Sequence, residues 1–102
     1  MKVLIIEDET AAAQNLCSIL RQIDSGIEVV DTLDTVTDSV EWFGNNPAPD
    51  LVFMDIHLSD GESFRIFDSV EIDSPIVFTT AYDQYALDAF KVNSIDYLLK
   101  PI

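Results

Sequence analysis

Five short apolar runs at regular intervals are the strongest constraint on how this chain can fold. They begin at residues 3, 27, 51, 76 and 95 and read VLII, IEVV, LVFM, IVFT and IDYLL. The intervals suit a turn, a helix and a second turn between successive strands. Strands that alternate with helices form a parallel sheet that is covered by helices on both faces. The sequence therefore predicts one α/β domain over residues 1–102.

The pattern within each run indicates where the strand lies in the sheet. The runs that begin at Val3, Leu51 and Ile76 do not alternate between apolar and polar residues. Such runs are expected for central strands with helices on both sides. The run at Ile27 does alternate, so we expect the second strand to lie nearer an edge.

Four segments between the runs have apolar residues at helical spacing. In chain order their stripes are Ala12, Leu16, Ile19, Leu20 and Ile23; Val36, Val40 and Phe43; Phe64, Phe67 and Val70; and Ala86, Leu87, Ala89 and Phe90. The second stripe opens with a sequence from Thr35 to Asp38 that resembles a capping box. Pro75 follows the third. We predict four helices.

The net charge excludes several classes of function. With 19 acidic and 5 basic side chains the chain carries a charge of −14, which repels nucleic acid backbones and anionic membranes. No apolar run is long enough for a membrane span or a signal-peptide core, so we expect a cytoplasmic protein. The single cysteine, Cys17, has no partner for a disulfide or a metal site, and we interpret it as an inert helix residue.

The last predicted strand ends at Lys100-Pro101-Ile102, although the pattern requires another helix to cover that edge of the sheet. We expect a truncated domain. The alternative is that another molecule covers the exposed apolar surface.

Charged and hydroxyl side chains follow the predicted strands at their carboxyl ends. In parallel sheets ligands bind at this edge, so the exits of the first, third, fourth and fifth strands are expected to converge. The residues at these exits are Glu7, Asp8, Asp55, Thr79, Thr80 and Lys100.

This set of residues suits phosphoryl transfer. Carboxylates that face one another repel unless a cation joins them, and oxygen ligands are typical of Mg²⁺. Lys100 and the metal would neutralise an incoming phosphoryl group while Asp55 attacks it in line. Each residue also has an ordinary structural explanation: acids favour helix N-termini, threonines favour strands, and lysines extend along apolar surfaces into solvent. Asp55 carries the most weight, because a carboxylate that ends a buried strand needs a partner.

The motifs VLIIEDE, LVFMDIHLSDG, FTTAYD and IDYLLKP together resemble the receiver domain of two-component response regulators across the whole chain. The resemblance implies a flavodoxin-like three-layer sandwich with a five-stranded parallel sheet of order 2-1-3-4-5, here without its final helix. It also implies a signalling domain rather than an enzyme acting on other substrates.

The resemblance assigns roles at the strand exits. Glu7 and Asp8 correspond to the acidic pair that holds Mg²⁺, and Asp55 corresponds to the phosphoacceptor. The backbone carbonyl of His57 completes the metal ligands, and Lys100 contacts the phosphoryl group.

The resemblance also implies a switch. Thr80, identified by the following Ala81, corresponds to the hydroxyl that binds the phosphoryl group, and Tyr97 to the aromatic that turns inward when Thr80 moves. From the residues alone, Thr79 has an equal claim to the hydroxyl role, and Tyr97 is an ordinary strand aromatic. Pro101 suggests a cis peptide after Lys100.

The segment TAYDQYALDAFKVNSIDYLLKPI looks most like receivers attached to LytTR-type DNA-binding domains. Four residues at three places depart from the common pattern. Ser59 replaces a frequent proline and is expected to loosen its turn, Glu7 has a longer arm than aspartate, and Asn93-Ser94 replaces a small pair.

The implied partners are a sensor histidine kinase, the C-terminal DNA-binding domain of the full-length protein, and a second copy that binds through the fourth helix and fifth strand. One alternative is a degenerate receiver that acts only as a protein interaction module. A metal-dependent phosphatase would need a substrate pocket and an acid or base that the sequence does not reveal. A redox metal held by Asp55 and His57 is disfavoured because the chain has no second histidine.

Overall fold

The fold is an α/β sandwich, described here from a computed structural model. The structure describes residues 1–80 and 94–100, and beyond residue 93 it describes the side chains of Leu98 and Lys100 only. Five strands form the main sheet: β1 (Lys2–Ile6), β2 (Glu28–Leu33), β3 (Leu51–Asp55), β6 (Ile76–Thr80) and β7 (Ser94–Leu99). The connections contain helices α1 (Thr10–Ile23) and α2 (Val36–Asn45), the short strands β4 (His57–Leu58) and β5 (Gly61–Glu62), and the 3₁₀ helix η1 (Ser63–Asp68).

The main sheet is parallel and has the order β2-β1-β3-β6-β7. This order is the one implied by the family resemblance, and the three runs without alternation form the interior strands. Apart from Lys2, the exposed first residue of β1, the residues of β1 and β6 are buried, whereas β2 is half-buried or exposed throughout. The expectation that β2 lies at an edge is therefore confirmed.

Alternate residues of the central strands divide the core into two layers. Leu4, Ile6, Met54 and Phe78 face α2 and η1, whereas the strand residues of opposite parity face α1. Because successive strand residues point to opposite faces, continuous apolar strands serve both layers. The helices need only one apolar face each.

Helix α1 buries less of its predicted stripe than expected. Leu16 and Leu20 are buried and Ile19 is half-buried, but Ile23 is 72% exposed. Ile23 is the last residue of the helix, and the chain turns away at Asp24, whose backbone is extended. Assigning Ile23 to the buried stripe was wrong. Cys17 lies half-buried in the same helix, against the α1 layer of the core.

Helix α2 begins where its capping sequence predicts. The side chain of Thr35 accepts a hydrogen bond from the backbone N–H of Asp38 at 3.0 Å, as an N-cap residue does. Val36, Val40 and Phe43 all pack against the core.

The third predicted helix is not an α-helix. Residues 63–68 form η1, and Val70 lies beyond its end. Backbone N–H groups of Ser69 and Val70 both donate to the carbonyl of Ile66, and the chain then runs to Pro75 without regular structure. The buried side chains of Ile66 and Ile72 hold this segment against the core.

Between β3 and η1 the chain makes a small antiparallel hairpin of β4 and β5, which the sequence patterns did not predict. Gly61 has φ = 141°, a conformation that side chains disfavour. The fourth predicted helix, over residues 86–90, lies outside the described residues. Within the described part of the chain, neither helix has the length and apolar character needed to cross a membrane.

Candidate functional site

The carboxyl ends of the central strands bring the predicted acidic residues together. Glu7 directly follows β1, Asp55 is the last residue of β3, and β1 and β3 are neighbours in the sheet. Lys100 directly follows β7. We refer to the carboxylates of Glu7, Asp8 and Asp55 as the acidic rim.

The acidic rim is compact and mostly shielded from water. Carboxylate oxygens of the three residues lie within 4.8 Å of one another. Glu7 and Asp55 are 8% and 5% exposed, and Asp8 is the most exposed of the three. Like charges at this distance and burial repel strongly, so the arrangement needs cations.

Lys100 supplies one of these positive charges. Its Nζ donates to Asp55 Oδ2 at 3.0 Å and to Glu7 Oε1 at an even shorter distance. Burial lowers the pKa of Lys100, but hydrogen bonds to Glu7 and Asp55 outweigh that effect and raise it above its usual value. Lys100 therefore remains an ammonium ion. Although it follows β7, it bridges Glu7, which follows β1, and Asp55, which ends β3.

Among the described residues, Asp8 has no ion pair comparable to those of Glu7 and Asp55. Burial raises the pKa of Asp8, and the neighbouring carboxyl of Glu7 raises it further. Lys100 offsets these effects only in part. Asp8 is thus the rim carboxylate whose charge is least compensated, and it is the one most in need of a further cation.

Backbone N–H groups fix the direction of two rim carboxylates. Glu9 donates to Glu7 Oε2 at 3.2 Å, and His57 donates to Asp55 Oδ1 at 3.3 Å. The backbone of Glu7 is itself held by the carbonyl of Leu33 at 2.8 Å. The rim is thus held in place by the main chain as well as by the lysine.

The donor set suits a hard divalent cation. Three converging carboxylates provide oxygen ligands only, the ligand type that Mg²⁺ and Ca²⁺ prefer. The surroundings agree with this, because one positive charge on Lys100 leaves the three carboxylates with a net negative charge. The residues present therefore fit the metal that the sequence leads us to expect.

The two threonines at the end of β6 differ in position. Thr79 is paired in register with Asp55 and lines a cleft of about 400 Å³ with Glu7 and Lys100. Thr80 is fully buried, and its carbonyl accepts a hydrogen bond from the backbone of Lys100 at 2.7 Å. Both residues thus lie at the correct edge of the sheet, and Thr80 holds the main chain from which Lys100 extends.

Other predicted residues are described only in part. The backbone of Tyr97 pairs with Phe78 in the β6–β7 register, but its side chain lies outside the described part of the chain. Ala81, Asn93 and Pro101 also lie outside the described residues.

Fold and site together are those of a phosphoacceptor signalling domain: a parallel sheet of order β2-β1-β3-β6-β7 with acids and a lysine at its carboxyl edge. Residues 3–102 match the response regulator receiver domain family. The chain belongs to this family.

Similar proteins include transcriptional regulators. The chain is 43% identical to the sensory transduction protein LytT of Bacillus anthracis and 36% identical to the transcriptional regulatory protein LytR of Staphylococcus aureus, in each case over 99% of this chain. It spans 42% of the length of these two relatives. Among solved structures, the response regulatory domain of protein mrkE from Klebsiella pneumoniae matches 100% of this chain and 84% of its own, with 33% identity and a TM-score of 0.85.

Sequence reasoning missed two contributors to the site. One is the Glu9 backbone N–H, which no side-chain pattern can reveal. The other is Asp60, which lies in the β4–β5 turn and accepts hydrogen bonds from the start of α2. The capping sequence at Thr35 signalled the helix start, but no local signal pointed to a second acceptor 23 to 24 residues away.

Proposed function

We propose that this chain accepts a phosphoryl group on Asp55 from a sensor histidine kinase in a Mg²⁺-dependent reaction. The observation that carries the proposal is the meeting of the acidic rim with Lys100 at one edge of the sheet. Three carboxylates lie within 4.8 Å of one another, and Nζ of Lys100 lies 3.0 Å from the proposed phosphoacceptor. Residues grouped at such cost to stability are typical of functional sites.

In this proposal Glu7, Asp8, Asp55 and the backbone carbonyl of His57 hold the metal. When bound, Mg²⁺ supplies positive charge against phosphoryl oxygens, as in other phosphoryl transfer sites. An oxygen of Asp55 forms the new bond to phosphorus while the bond from phosphorus to the kinase histidine nitrogen breaks. The electron pair of the broken bond returns to the imidazole, so the charges and atoms balance.

Lys100 and Thr80 act on the phosphoryl group after transfer. The ammonium of Lys100 already contacts Asp55, so it is in reach of the negative charge that arrives there. We assign the hydroxyl of Thr80 to a phosphoryl oxygen by the family pattern. In the full-length protein, Thr80→Ala is expected to lose transcriptional control although Asp55 is still phosphorylated. Thr79→Val is expected to keep both the phosphorylation of Asp55 and transcriptional control.

The downstream effect is transcriptional control. Support comes from the relatives, because LytR of Staphylococcus aureus is a transcriptional regulatory protein and extends well beyond the matched region. In the full-length protein, residues 1–102 would form the receiver up to its fifth strand, and a LytTR-type DNA-binding domain would read the signal. The strongly acidic surface of this chain is consistent with DNA contacts lying elsewhere. Tyr97 and pairing of two copies through the fourth helix and β7 would transmit the change.

Phosphorylation can be tested with a small acyl phosphate donor. The protein, incubated with MgCl₂ and acetyl phosphate, is expected to gain 80 Da, and Asp55→Asn is expected to abolish the gain. Asp31→Asn is a suitable control, because this exposed residue of β2 loses the same charge away from the rim. No gain of mass by the wild-type protein, or an equal gain by Asp55→Asn, would overturn the proposal.

A further inference from the structure

The segment after Asp55 is a hairpin with little internal support. Strands β4 and β5 have two residues each, and Ser59 and Asp60 form the turn between them. Hairpins this small are marginally stable by themselves. Leu58 is buried in the core, but the sequence has serine where a proline would stiffen the turn. The backbone of Ile56 donates to the carbonyl of Thr79 and accepts from the N–H of Ser63, which holds the base of the hairpin, and a contact to α2 holds its turn.

Asp60 provides that contact. Its Oδ1 accepts a hydrogen bond from the backbone N–H of Val36 at 2.6 Å, and its Oδ2 accepts two from Thr37, from the backbone N–H and from Oγ1, both at 3.1 Å. Bonds to a carboxylate at these distances are of the stronger, charge-assisted kind. The backbone N–H of Val36, followed by the groups of Thr37, holds the pKa of Asp60 below its usual value.

These bonds use donors that α2 leaves free. The first N–H groups of a helix have no partners within it. Thr35 satisfies that of Asp38, and Asp60 satisfies those of Val36 and Thr37. The start of α2 is thus capped by two residues, one from its own chain segment and one from the hairpin that follows Asp55.

The connection between β2 and α2 also holds Glu7, a second part of the acidic rim. The carbonyl of Leu33 accepts from the backbone N–H of Glu7 at 2.8 Å, and the carbonyl of Asp34 accepts from Ser59 in a long hydrogen bond of 3.5 Å. Glu7 and the hairpin that carries His57 are therefore fastened to adjacent residues of the same short piece of backbone.

We propose that Asp60 is a positioning residue that clamps the β4–β5 hairpin to α2 and so holds the His57 backbone in register with the acidic rim for Mg²⁺ binding. The inference rests on the proposed function, because it assigns the His57 carbonyl to the metal. Asp60 itself touches neither the metal nor the phosphoryl group.

Thr35 offers a matched control. Asp60→Ala and Thr35→Ala each remove a side-chain cap from the same helix terminus, so both are expected to lower stability, Asp60→Ala by more because it removes three hydrogen bonds and not one. Of the two residues, only Asp60 belongs to the hairpin. If Asp60 were only a helix cap, neither variant would change Mg²⁺ affinity in a way that the other does not.

The decisive measurements need no phosphoryl donor. In a Mg²⁺ titration followed by amide chemical shifts, Asp60→Ala is expected to raise the half-saturating Mg²⁺ concentration at least fivefold, and Thr35→Ala less than twofold. Amide hydrogen exchange of residues 57–62 is expected to accelerate at least tenfold in Asp60→Ala only. Asp60→Asn, which keeps one acceptor oxygen, is expected to lie between the wild type and Asp60→Ala.

Equal shifts in Asp60→Ala and Thr35→Ala would overturn the inference and leave Asp60 as a simple helix cap. Unchanged Mg²⁺ affinity in Asp60→Ala would do the same. Because neither measurement involves phosphoryl transfer, a wild-type protein that binds Mg²⁺ but gains no phosphoryl group contradicts the proposed function and not the role of Asp60.

Discussion

The acidic rim and the start of α2 both contain carboxylates, but in opposite surroundings. In the described part of the chain the rim carboxylates face one another, and Lys100 contacts two of them, Glu7 and Asp55. Asp60, in contrast, faces two backbone N–H groups and a hydroxyl. The pKa of Asp8 is raised by burial and by Glu7, whereas the pKa of Asp60 is lowered by the hydrogen bonds from α2.

The comparison shows that the same residue type stabilises one part of the fold and destabilises another. A carboxylate whose pKa is lowered by folding adds stability at neutral pH, and one whose pKa is raised subtracts it. Removing the charge of Asp8 and removing that of Asp60 should therefore change the free energy of unfolding in opposite directions.

The largest effect is expected from Lys100→Met. Without the lysine, Glu7 and Asp55 would be buried charges with no cation, and breaking such a contact is strongly destabilising. Lys100 keeps 20% of its side chain in water, so we expect a loss of about 2 kcal/mol rather than the full cost of a buried pair. Urea unfolding at neutral pH in the presence of a chelator measures this loss of stability. Lys2→Met, at an exposed position, is the control, and an equal effect of both would contradict the special role of Lys100.

Asp60→Ala is expected to have an intermediate effect, with a loss of about 1 kcal/mol at neutral pH, as for other helix caps. The pKa of Asp60 is lowered from its usual 3.8, so its stabilisation is complete above that value and is lost as the pH falls through the lower pKa of the folded state. The unfolding free energies of wild type and Asp60→Ala should therefore differ at pH 6 and converge towards pH 2. A difference that stays constant with pH would show that the charge of Asp60 is unimportant.

The smallest effect, and the only gain, is expected from Asp8→Asn. The pKa of Asp8 is raised from 3.8, so the wild type loses stability as the pH rises through the higher pKa of the folded state, and the substitution removes that loss. Because Asp8 is partly exposed to screening solvent, we expect a gain of only about 0.5 kcal/mol at neutral pH without divalent cations.

Adding MgCl₂ should make the wild type more stable than Asp8→Asn, because only the wild type keeps the full set of metal ligands. Glu41→Gln, an exposed residue in the middle of α2, controls for the general relief of negative charge. An equal gain in Glu41→Gln, or equal stabilisation of Asp8→Asn and wild type by Mg²⁺, would argue against a cation site at the rim.

Strong local patterns predicted most of the framework. All five main strands overlap the predicted apolar runs. The three interior strands had the clearest signal, because a strand buried on both faces needs continuous apolar residues. The meeting of Glu7 with Asp55 followed from topology, since neighbouring parallel strands end at the same edge. Where the pattern was short, as over residues 63–70, the structure has a 3₁₀ helix and an irregular segment instead of the predicted helix.

Contacts between distant segments were predictable only where strand order implied them. Strand order brings Lys100 to the same edge as Glu7, 93 positions away, but the local sequence does not specify which carboxylates the lysine contacts. The contact between Asp60 and Val36, 24 positions apart, had no signal in the local sequence. Ile23 has the spacing of a core residue, yet it is exposed because α1 ends there.

The sequence by itself determined the strands, the two-sided core and the presence of acids, hydroxyls and a lysine at the strand ends, because hydrophobic periodicity is a local property. Only the tertiary structure decided which carboxylates repel and which are satisfied. That outcome depends on the few ångströms between side chains brought together from distant positions, and electrostatic and hydrogen-bond energies change steeply over such distances.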